Sequence, residues 1–329
     1  MRALRRILVA VKDPDAKSLP AVEKGAQLAR ASCAELELFH GITERLSADA
    51  CAYLKGGIVE AEQNRRQHYA DQLEKIAAPL RKAGLSVDVS VRWDYPAYEA
   101  IVRQARRSRA DLIVAECHAG RRLAPWLLHV TDWELLRTSP VPVLLVKTPA
   151  RYHKPVVLAA IDPTHAYAKP SKLDDAILAA AHAMTEKLNG SMHAMHAYVP
   201  DDLMAASGGA ITGALASEMF AAAESRAKRS FERALRKTKL PRERRHLQCG
   251  MPVDVIPGTA REIGAALVVM GAVSRSGLKR LFIGNTAERV LNDLPCDILV
   301  VKPARFVSRV PRRSRGVRLV ATPQFGVPA

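Results

Sequence analysis

The sequence predicts an α/β fold made of two tandem domains, each with a five-stranded parallel sheet flanked by helices. Three observations predict this class. Short apolar runs, typical of buried strands, alternate with longer segments of helical periodicity. The same order of elements occurs twice along the chain. Matching residues of the two copies lie 155 positions apart, as Pro140 and Pro295 do, and Thr131 and Thr286. A period of this length indicates duplicated domains rather than a solenoid.

In the first half, five short apolar runs predict five strands, because strands buried on both faces of a parallel sheet are apolar throughout. These strands cover residues 7–11, 36–39, 87–91, 112–115 and 143–146. Apolar residues at helical spacing, such as Val22, Ala26 and Ala29, predict helices between the strands. The helices cover residues 19–30, 61–82, 98–107 and 132–137.

The second half repeats this order. Its predicted strands are residues 157–161, a run that ends at Tyr198, and residues 246–249, 267–270 and 298–301. A first helix is expected to be capped by Ser171, with Asp174 at the capping-box position. A long helix is predicted over residues 215–237, and a further helix is expected to break at Pro257.

The segment 267–302 has the pattern of an anion site. A buried strand ends at Gly271, a polar loop follows, and Gly284 opens a helix. Backbone N–H groups at a helix start lack intrahelical partners, and glycine lets a phosphate approach the backbone. Purely structural roles are open as well. Gly271 would then only form a tight turn, and Asn285 would be an N-cap that completes a capping box with Glu288.

Length and composition indicate two globular domains without a membrane span. The chain has 329 residues, 48% of them hydrophobic, and no apolar run approaches the roughly 20 residues that a span needs. The first apolar run, residues 7–11, is too short for a signal-peptide core, so a cytoplasmic protein is expected. The five cysteines form no CxxC pair and are expected to be buried reduced thiols, with no disulfide framework and no zinc site.

The formal net charge is +17, and part of it lies near the C-terminus. Residues 304–329 contain six arginines, several prolines and no apolar period, so they are expected to be a disordered tail that folding does not need. The rest of the chain is basic too, which would attract nucleic acid, anionic lipid or phosphorylated ligands. A merely soluble basic surface is favoured over nucleic-acid binding, because no helix-turn-helix, RNP or finger motif occurs, although the basic tail leaves that binding open.

The loop and helix start after residue 270 resemble a family motif. Gly271, Ser274, Gly284 and Asn285 occupy the positions of a pattern with glycine, two residues, glycine, nine residues, glycine and a hydroxyl residue. Ser274 replaces the second glycine, and Asn285 replaces the hydroxyl residue, although Thr286 follows. Over residues 3–303 the chain resembles the tandem universal stress proteins of the E type. The resemblance implies a Rossmann-like, adenine nucleotide alpha hydrolase-like fold, with domains at 1–150 and 151–303 before the tail at 304–329.

The resemblance also implies where a nucleotide binds. In the family, an acidic residue after the first strand faces the base and ribose, and backbone after the second-strand histidine meets adenine. Carried over by position, the implied nucleotide-binding residues are Asp162, Ala197, Met270, Gly271, Ser274, Gly284, Asn285 and Thr286. The implied ligand is ATP or a related nucleotide, with Mg. The alternative for Asp162 is a purely structural role, as a turn residue before Pro163.

The first half departs from the motif at nearly every position. Lys12 stands where Asp162 does, and Glu116 stands where Gly271 does. Ala119, His129 and Val130 replace the remaining motif residues. A carboxylate at residue 116 would repel phosphate. This half is therefore expected to be structural or to bind something other than ATP.

The function that the resemblance implies is a non-catalytic, nucleotide-binding stress protein. Two alternatives are open, namely a carrier or scaffold for a lipid-like or other small ligand between the domains, and a weak ATP-hydrolysing enzyme. No P-loop, GxSxG or HExxH motif occurs, so no enzyme is expected. The edge strands 143–146 and 298–301 are expected to pair within the chain as a pseudo-dimer, with a homodimer also open.

Overall fold

The computed structural model describes residues 4–47, 57–117, 125–164, 172–200, 213–271, 290 and 293–320. The chain divides into two compact units. The N-terminal unit comprises Ala3–Val141 and Ser308–Ala329, and the C-terminal unit comprises Pro142–Val307 with the first two residues. The structure confirms the predicted α/β class. Its unit boundary differs from the predicted one at residue 150, because the strand 143–146 groups with the second unit.

The N-terminal unit contains four strands of one parallel sheet, in the order β4-β2-β1-β5. These are β1 (Arg6–Ala10), β2 (Glu35–Ile42), β4 (Val87–Trp93) and β5 (Leu112–Glu116), and a short strand, β3 (Arg45–Ser47), follows β2. The helices are α1 (Pro20–Ser32), α2 (Gly57–Lys82), α3 (Ala97–Arg107) and α4 (Pro125–Thr138). Four successive residues of β1 are buried, so helices must cover both faces of this sheet.

The C-terminal unit contains a sheet of six strands in the order β6-β11-β10-β7-β8-β9. Its strands are β6 (Val143–Val146), β7 (Val156–Ile161), β8 (Ser191–Tyr198), β9 (Arg245–Cys249), β10 (Ala265–Gly271) and β11 (Asp297–Val301). Its helices are α5 (Leu173–Lys187), α6 (Gly213–Leu235) and α7 (Pro252–Glu262). The last five strands of the order are parallel, whereas β6 pairs antiparallel with β11. The predicted pairing of the two edge strands is thus confirmed, and it covers an edge that would otherwise be open.

The expected disorder of the tail is wrong for the part that the structure describes. Strand β12 (Arg318–Val320) pairs in parallel with β3, and the segment before it contacts α3. Arginine-rich composition predicted disorder, but Arg315 has specific partners in the buried carboxylates of Asp94 and Glu99. Residues 321–329 lie outside the described part of the chain.

Three local predictions also need correction. Helix α7 continues through Pro257, because one missing N–H donor does not end a helix that packs on the sheet. Helix α5 has Lys172 at its N-cap, and Asp174 accepts a hydrogen bond from the Asp162 backbone instead of closing a capping box. Of the four described cysteines only Cys296 is buried, and the expected burial is wrong for Cys33 and Cys249, which are exposed.

Candidate functional site

Three strands of the C-terminal unit end together at one edge of its sheet. Ile161 of β7 lies opposite His196 of β8, and Met270 of β10 lies opposite Ala160 of β7. This register brings together four of the predicted site residues, which are Asp162, Ala197, Met270 and Gly271. The carboxyl ends of parallel strands are where open α/β sheets bind ligands. The other four predicted site residues, Ser274, Gly284, Asn285 and Thr286, lie outside the described residues.

Asp162 lies directly after β7, and its side chain is 32% exposed. Its backbone N–H donates to Oδ1 of Asp174 at 3.1 Å, which ties the strand end to the first turn of α5. Its own Oδ1 accepts a hydrogen bond from the Thr164 hydroxyl at 3.2 Å. The carboxylate is therefore held in place at the strand end and still reaches solvent.

His196 lies at the same edge, although it is not among the binding residues that the resemblance implies. Its side chain is fully buried. Its Nδ1 lies 3.3 Å from the carbonyl oxygen of Ile161, and since a carbonyl only accepts, Nδ1 is the protonated nitrogen. Its Nε2 lies 3.4 Å from the Thr164 hydroxyl oxygen, which also contacts the Asp162 carboxylate. Both ring nitrogens are engaged, so this histidine joins β7 to β8 at the site edge.

Gly271 is required by helix packing. A Cβ at this position would lie 2.7 Å from Cδ2 of Leu173 and 3.2 Å from Cδ1 of Ile177, both on α5. Real Cβ atoms do not come as close as 2.7 Å, so a side chain here would force the Leu173 side chain or α5 itself to shift. The packing of α5 thus accounts for this glycine without a ligand.

The equivalent edge of the N-terminal unit opens into a cavity of about 410 Å³. Ala10 of β1 lies opposite Phe39 of β2 and opposite Ala115 of β5, so the three strands again end together. The residues just beyond these positions, among them Lys12, His40 and Glu116, line the cavity. A volume of this size is in the range of small-molecule pockets.

His40 lies at the wall of this cavity and is 8% exposed. Its Nδ1 donates to the Val11 carbonyl oxygen at 2.9 Å, and its ring lies 4.4 Å from that of Tyr69, centroid to centroid. Burial lowers the pKa of His40, which keeps the imidazole neutral. Burial, together with a 2.5 Å hydrogen bond from the Tyr69 hydroxyl to Glu44, raises the pKa of Tyr69 to about 12.

A second pair of histidines lies in the C-terminal unit. His193 of β8 and His246 of β9 are stacked, and their facing nitrogens, Nδ1 and Nε2, are 2.9 Å apart. Burial lowers the pKa of both, and for His193 the other imidazole adds to the effect. His193 and His196 lie on opposite faces of β8, as the strand period predicts.

Neither a metal cluster nor a membrane span is found in the part of the chain that the structure describes. No three His, Cys, Asp or Glu side chains there are grouped so that they could hold a metal ion. Among the same residues, no helix combines the length and the apolar character that crossing a membrane requires.

Comparisons with known proteins agree on one family. The model of the Universal stress protein family matches residues 3–147 and 156–302. The chain is 26% identical to Universal stress protein E of Escherichia coli (strain K12), over 94% of this chain and 97% of that protein. It is 25% identical to a Universal stress protein E homolog of Haemophilus influenzae, over 82% of this chain and 84% of the homolog.

Solved structures show the same architecture. A functionally unknown protein from Pseudomonas aeruginosa PAO1 superposes with a TM-score of 0.69 at 25% identity, covering 92% of this chain and 94% of the other. A universal stress protein from Archaeoglobus fulgidus DSM 4304 superposes with a TM-score of 0.61 at 17% identity, covering 92% and 99% of the two chains. The second likeness concerns the fold alone.

Proposed function

The chain belongs to the universal stress protein family, and on this basis we propose that it is a stress-response protein that binds a nucleotide in its C-terminal unit without turning it over. The ligand is ATP or a related mononucleotide, accompanied by Mg. The proposed contacts are the strand-end residues and the loop and helix start that follow β10, namely Asp162, Ala197, Met270, Gly271, Ser274, Gly284, Asn285 and Thr286.

The observation that carries this proposal is the common edge formed by the ends of β7, β8 and β10. Asp162 provides a partly exposed carboxylate there, oriented by Thr164 and suited to ribose hydroxyl groups. Ala197 and Met270 provide half-buried backbone beside it. Because β10 leads directly into the segment where the sequence predicts a helix start at Gly284, the proposal assigns the phosphates to that segment.

The state of the histidine at this edge supports binding without turnover. A general base must reach the proton that it removes. His196 is fully buried, its Nδ1 faces the Ile161 carbonyl and its Nε2 faces the Thr164 hydroxyl. It therefore supports the strand ends and is not available to activate a water molecule.

Calorimetric titration of ATP and Mg into the full chain tests the proposal. We expect one site per chain, weakened at least tenfold by Gly284→Val, because a branched side chain would fill the space beside the backbone. Asp162→Asn is expected to weaken binding less, since an amide still accepts one hydrogen bond from the ribose. Lys12→Ala, at the matching position of the N-terminal unit, is the control and should bind ATP as the unchanged chain does.

Two results would contradict the proposal. Unchanged ATP affinity in Gly284→Val would show that the nucleotide binds elsewhere. Release of inorganic phosphate at a rate proportional to protein concentration, and lost in the same variant, would show turnover. Native mass spectrometry of the purified chain separates a third outcome, in which an acyl ligand is bound in place of a nucleotide and the carrier function applies.

A further inference from the structure

Positive charge is concentrated on α6 and the turn that follows it. Residues 225–245 contain ten lysine and arginine residues and two acidic residues, which is nearly half of the formal net charge of +17. The equivalent stretch before β4, residues 67–87, contains three lysine and arginine residues and two acidic residues. In the basic tail, by contrast, Arg315 is engaged by Asp94 and Glu99. The excess charge therefore belongs to one helix of one unit and is not a property of the fold.

The helix presents these cations in a row. Its buried apolar residues recur every four positions and pack on β8 and β9. Arg226, Arg229 and Arg233 recur at helical spacing on one flank of this buried stripe, and Arg236 continues the row into the turn. All four side chains are exposed. Successive members of the row lie about 4.5 to 6 Å apart along the helix axis.

Most of these cations have no acidic partner among the described residues. We define the basic surface as the six exposed side chains of which this is true, namely Arg229, Arg233, Arg236, Lys237, Lys239 and Arg242. Glu232, the acidic residue of this part of α6, is paired with Arg245 at 2.6 Å. Like charges at helical spacing repel each other, and the helix dipole favours cations only in the last turn. The stability of α6 therefore does not require this row, and an anionic partner would account for it.

The same surface indicates which polyanion it fits. The apolar residues of α6 are buried against the sheet, so the helix has no apolar face to insert into a bilayer. The one aromatic residue between positions 225 and 245, Phe231, is buried, so no ring is available for stacking on unpaired bases. What remains is contact with phosphates. A double helix presents phosphates in regular rows, one per about 3.4 Å of axis on each strand.

From this arrangement we propose that the basic surface binds double-helical nucleic acid through its phosphates and without regard to base sequence. Arg229, Arg233 and Arg236 form the central row of contacts, and Lys239 and Arg242 extend the contact beyond the end of α6. The interaction is electrostatic, so it should release counterions and weaken steeply as salt is added.

Fluorescence anisotropy of a labelled DNA duplex of about 20 base pairs, titrated with the full chain between about 50 and 200 mM salt, tests the proposal. We expect saturable binding whose logarithm falls linearly with the logarithm of salt concentration, with a slope of about −4 to −5, since each phosphate contact contributes about −0.9. An unlabelled duplex of unrelated sequence should compete equally, because the proposed contacts do not reach the bases.

Two triple variants separate this surface from net charge. The combined change Arg229→Gln, Arg233→Gln and Arg236→Gln should weaken binding at least about tenfold and reduce the steepness of the salt slope by about three. The control removes the same charge from exposed positions of α2 in the other unit and should change the affinity less than about twofold. It combines Arg66→Gln, Lys75→Gln and Lys82→Gln.

Several results would overturn the proposal. One is the absence of saturable duplex binding by the unchanged chain at the lowest salt, and another is equal weakening by the two triple variants. Tighter binding to a single strand of the same length, or to vesicles of phosphatidylserine and phosphatidylcholine, would assign the surface to another polyanion. If the thermal midpoint shows that the α6 variant is unfolded, Lys239→Gln combined with Arg242→Gln decides in its place. Unchanged affinity in that double variant would then contradict the assigned surface.

Discussion

The two units have the same support at their strand ends and different side chains around it. In each, a buried histidine of the second strand donates from Nδ1 to a carbonyl of the first strand, His40 to Val11 at 2.9 Å and His196 to Ile161 at 3.3 Å. Lys12 and Glu116 surround the first histidine where the other unit has Asp162 and Gly271. The two units therefore share the frame of this edge and differ in the charged side chains that stand at the strand ends.

The units also differ in the buried polar contacts that lie beside their sheets. In the N-terminal unit, Arg103 of α3 forms a buried ion pair with both oxygens of Asp94, at 2.6 and 2.8 Å, and another with Glu99 at 2.9 Å. The C-terminal segment lies across this cluster, and Arg315 donates to Glu99 while its backbone donates to Asp94. In the C-terminal unit a buried carboxylate is held without an arginine, because Asp297 accepts from the backbone of Lys147 and Thr148 and from the Tyr152 hydroxyl.

The largest effect is expected from Arg103→Met. Removing this guanidinium leaves the carboxylates of Asp94 and Glu99 buried without their main partner, and breaking a buried pair costs about 3–5 kcal/mol. Urea unfolding of the full chain measures the loss. Arg65→Met is the matched control, because the Arg65–Glu44 pair is exposed and is worth at most about 1 kcal/mol. Equal effects of both variants would show that the buried cluster does not hold α3 in place.

Truncation after residue 303 should have the next largest effect. It removes Arg315 and the backbone carbonyls of Ser308 and Val310 that accept from Arg106. We expect a loss of about 2–3 kcal/mol, because several hydrogen bonds to charged groups disappear while the ordering cost of the segment is recovered. Truncation after residue 320 is the control, since it leaves every described contact. A thermal midpoint that is the same in both truncations would restore the prediction of a dispensable tail.

Much of the fold could be predicted from the sequence because the signals are local. Apolar runs marked the strands, and the 155-residue register predicted the pairing of β6 with β11. The contacts of Arg315 with Asp94 and Glu99 could not be predicted in this way. Arg315 and Glu99 are 216 positions apart, and composition alone describes an arginine-rich segment as solvated. In the candidate site, too, some residues are indicated by the sequence and others are explained only by the packing. Position in the chain indicated Asp162 and Glu116, but only packing reveals that Gly271 makes room for Leu173.

A smaller effect is expected from Gly271→Ala. The added Cβ would lie 2.7 Å from the end of the Leu173 side chain, so α5 or that side chain must shift. Since the atom in contact ends a flexible side chain, we expect about 1–2 kcal/mol of destabilisation, within the usual cost of overpacking. Gly258→Ala is the matched control, because a Cβ there would meet nothing within 4 Å. If Gly258→Ala were destabilised and Gly271→Ala were as stable as the unchanged chain, the packing role would be contradicted and a ligand role for Gly271 would be favoured.

The smallest effect concerns the loss of stability as the pH falls. The folded-state pKa values of His193 and His246 lie below their ordinary value, so the unfolded chain binds protons first as the pH falls through about 6.5. Stability contributed by the neutral pair is therefore present at neutral pH and lost on the acid side. His246→Gln should flatten the decline of the urea midpoint between about pH 7 and 5.5. It should not abolish the decline, because His40 in the N-terminal unit has a lowered pKa as well.

His182→Gln, on the exposed face of α5, should leave the slope unchanged. If His246→Gln declined as steeply as the unchanged chain, acid sensitivity would lie in the N-terminal unit, and the two units would differ in their response to protons as they do in the charge of their strand ends.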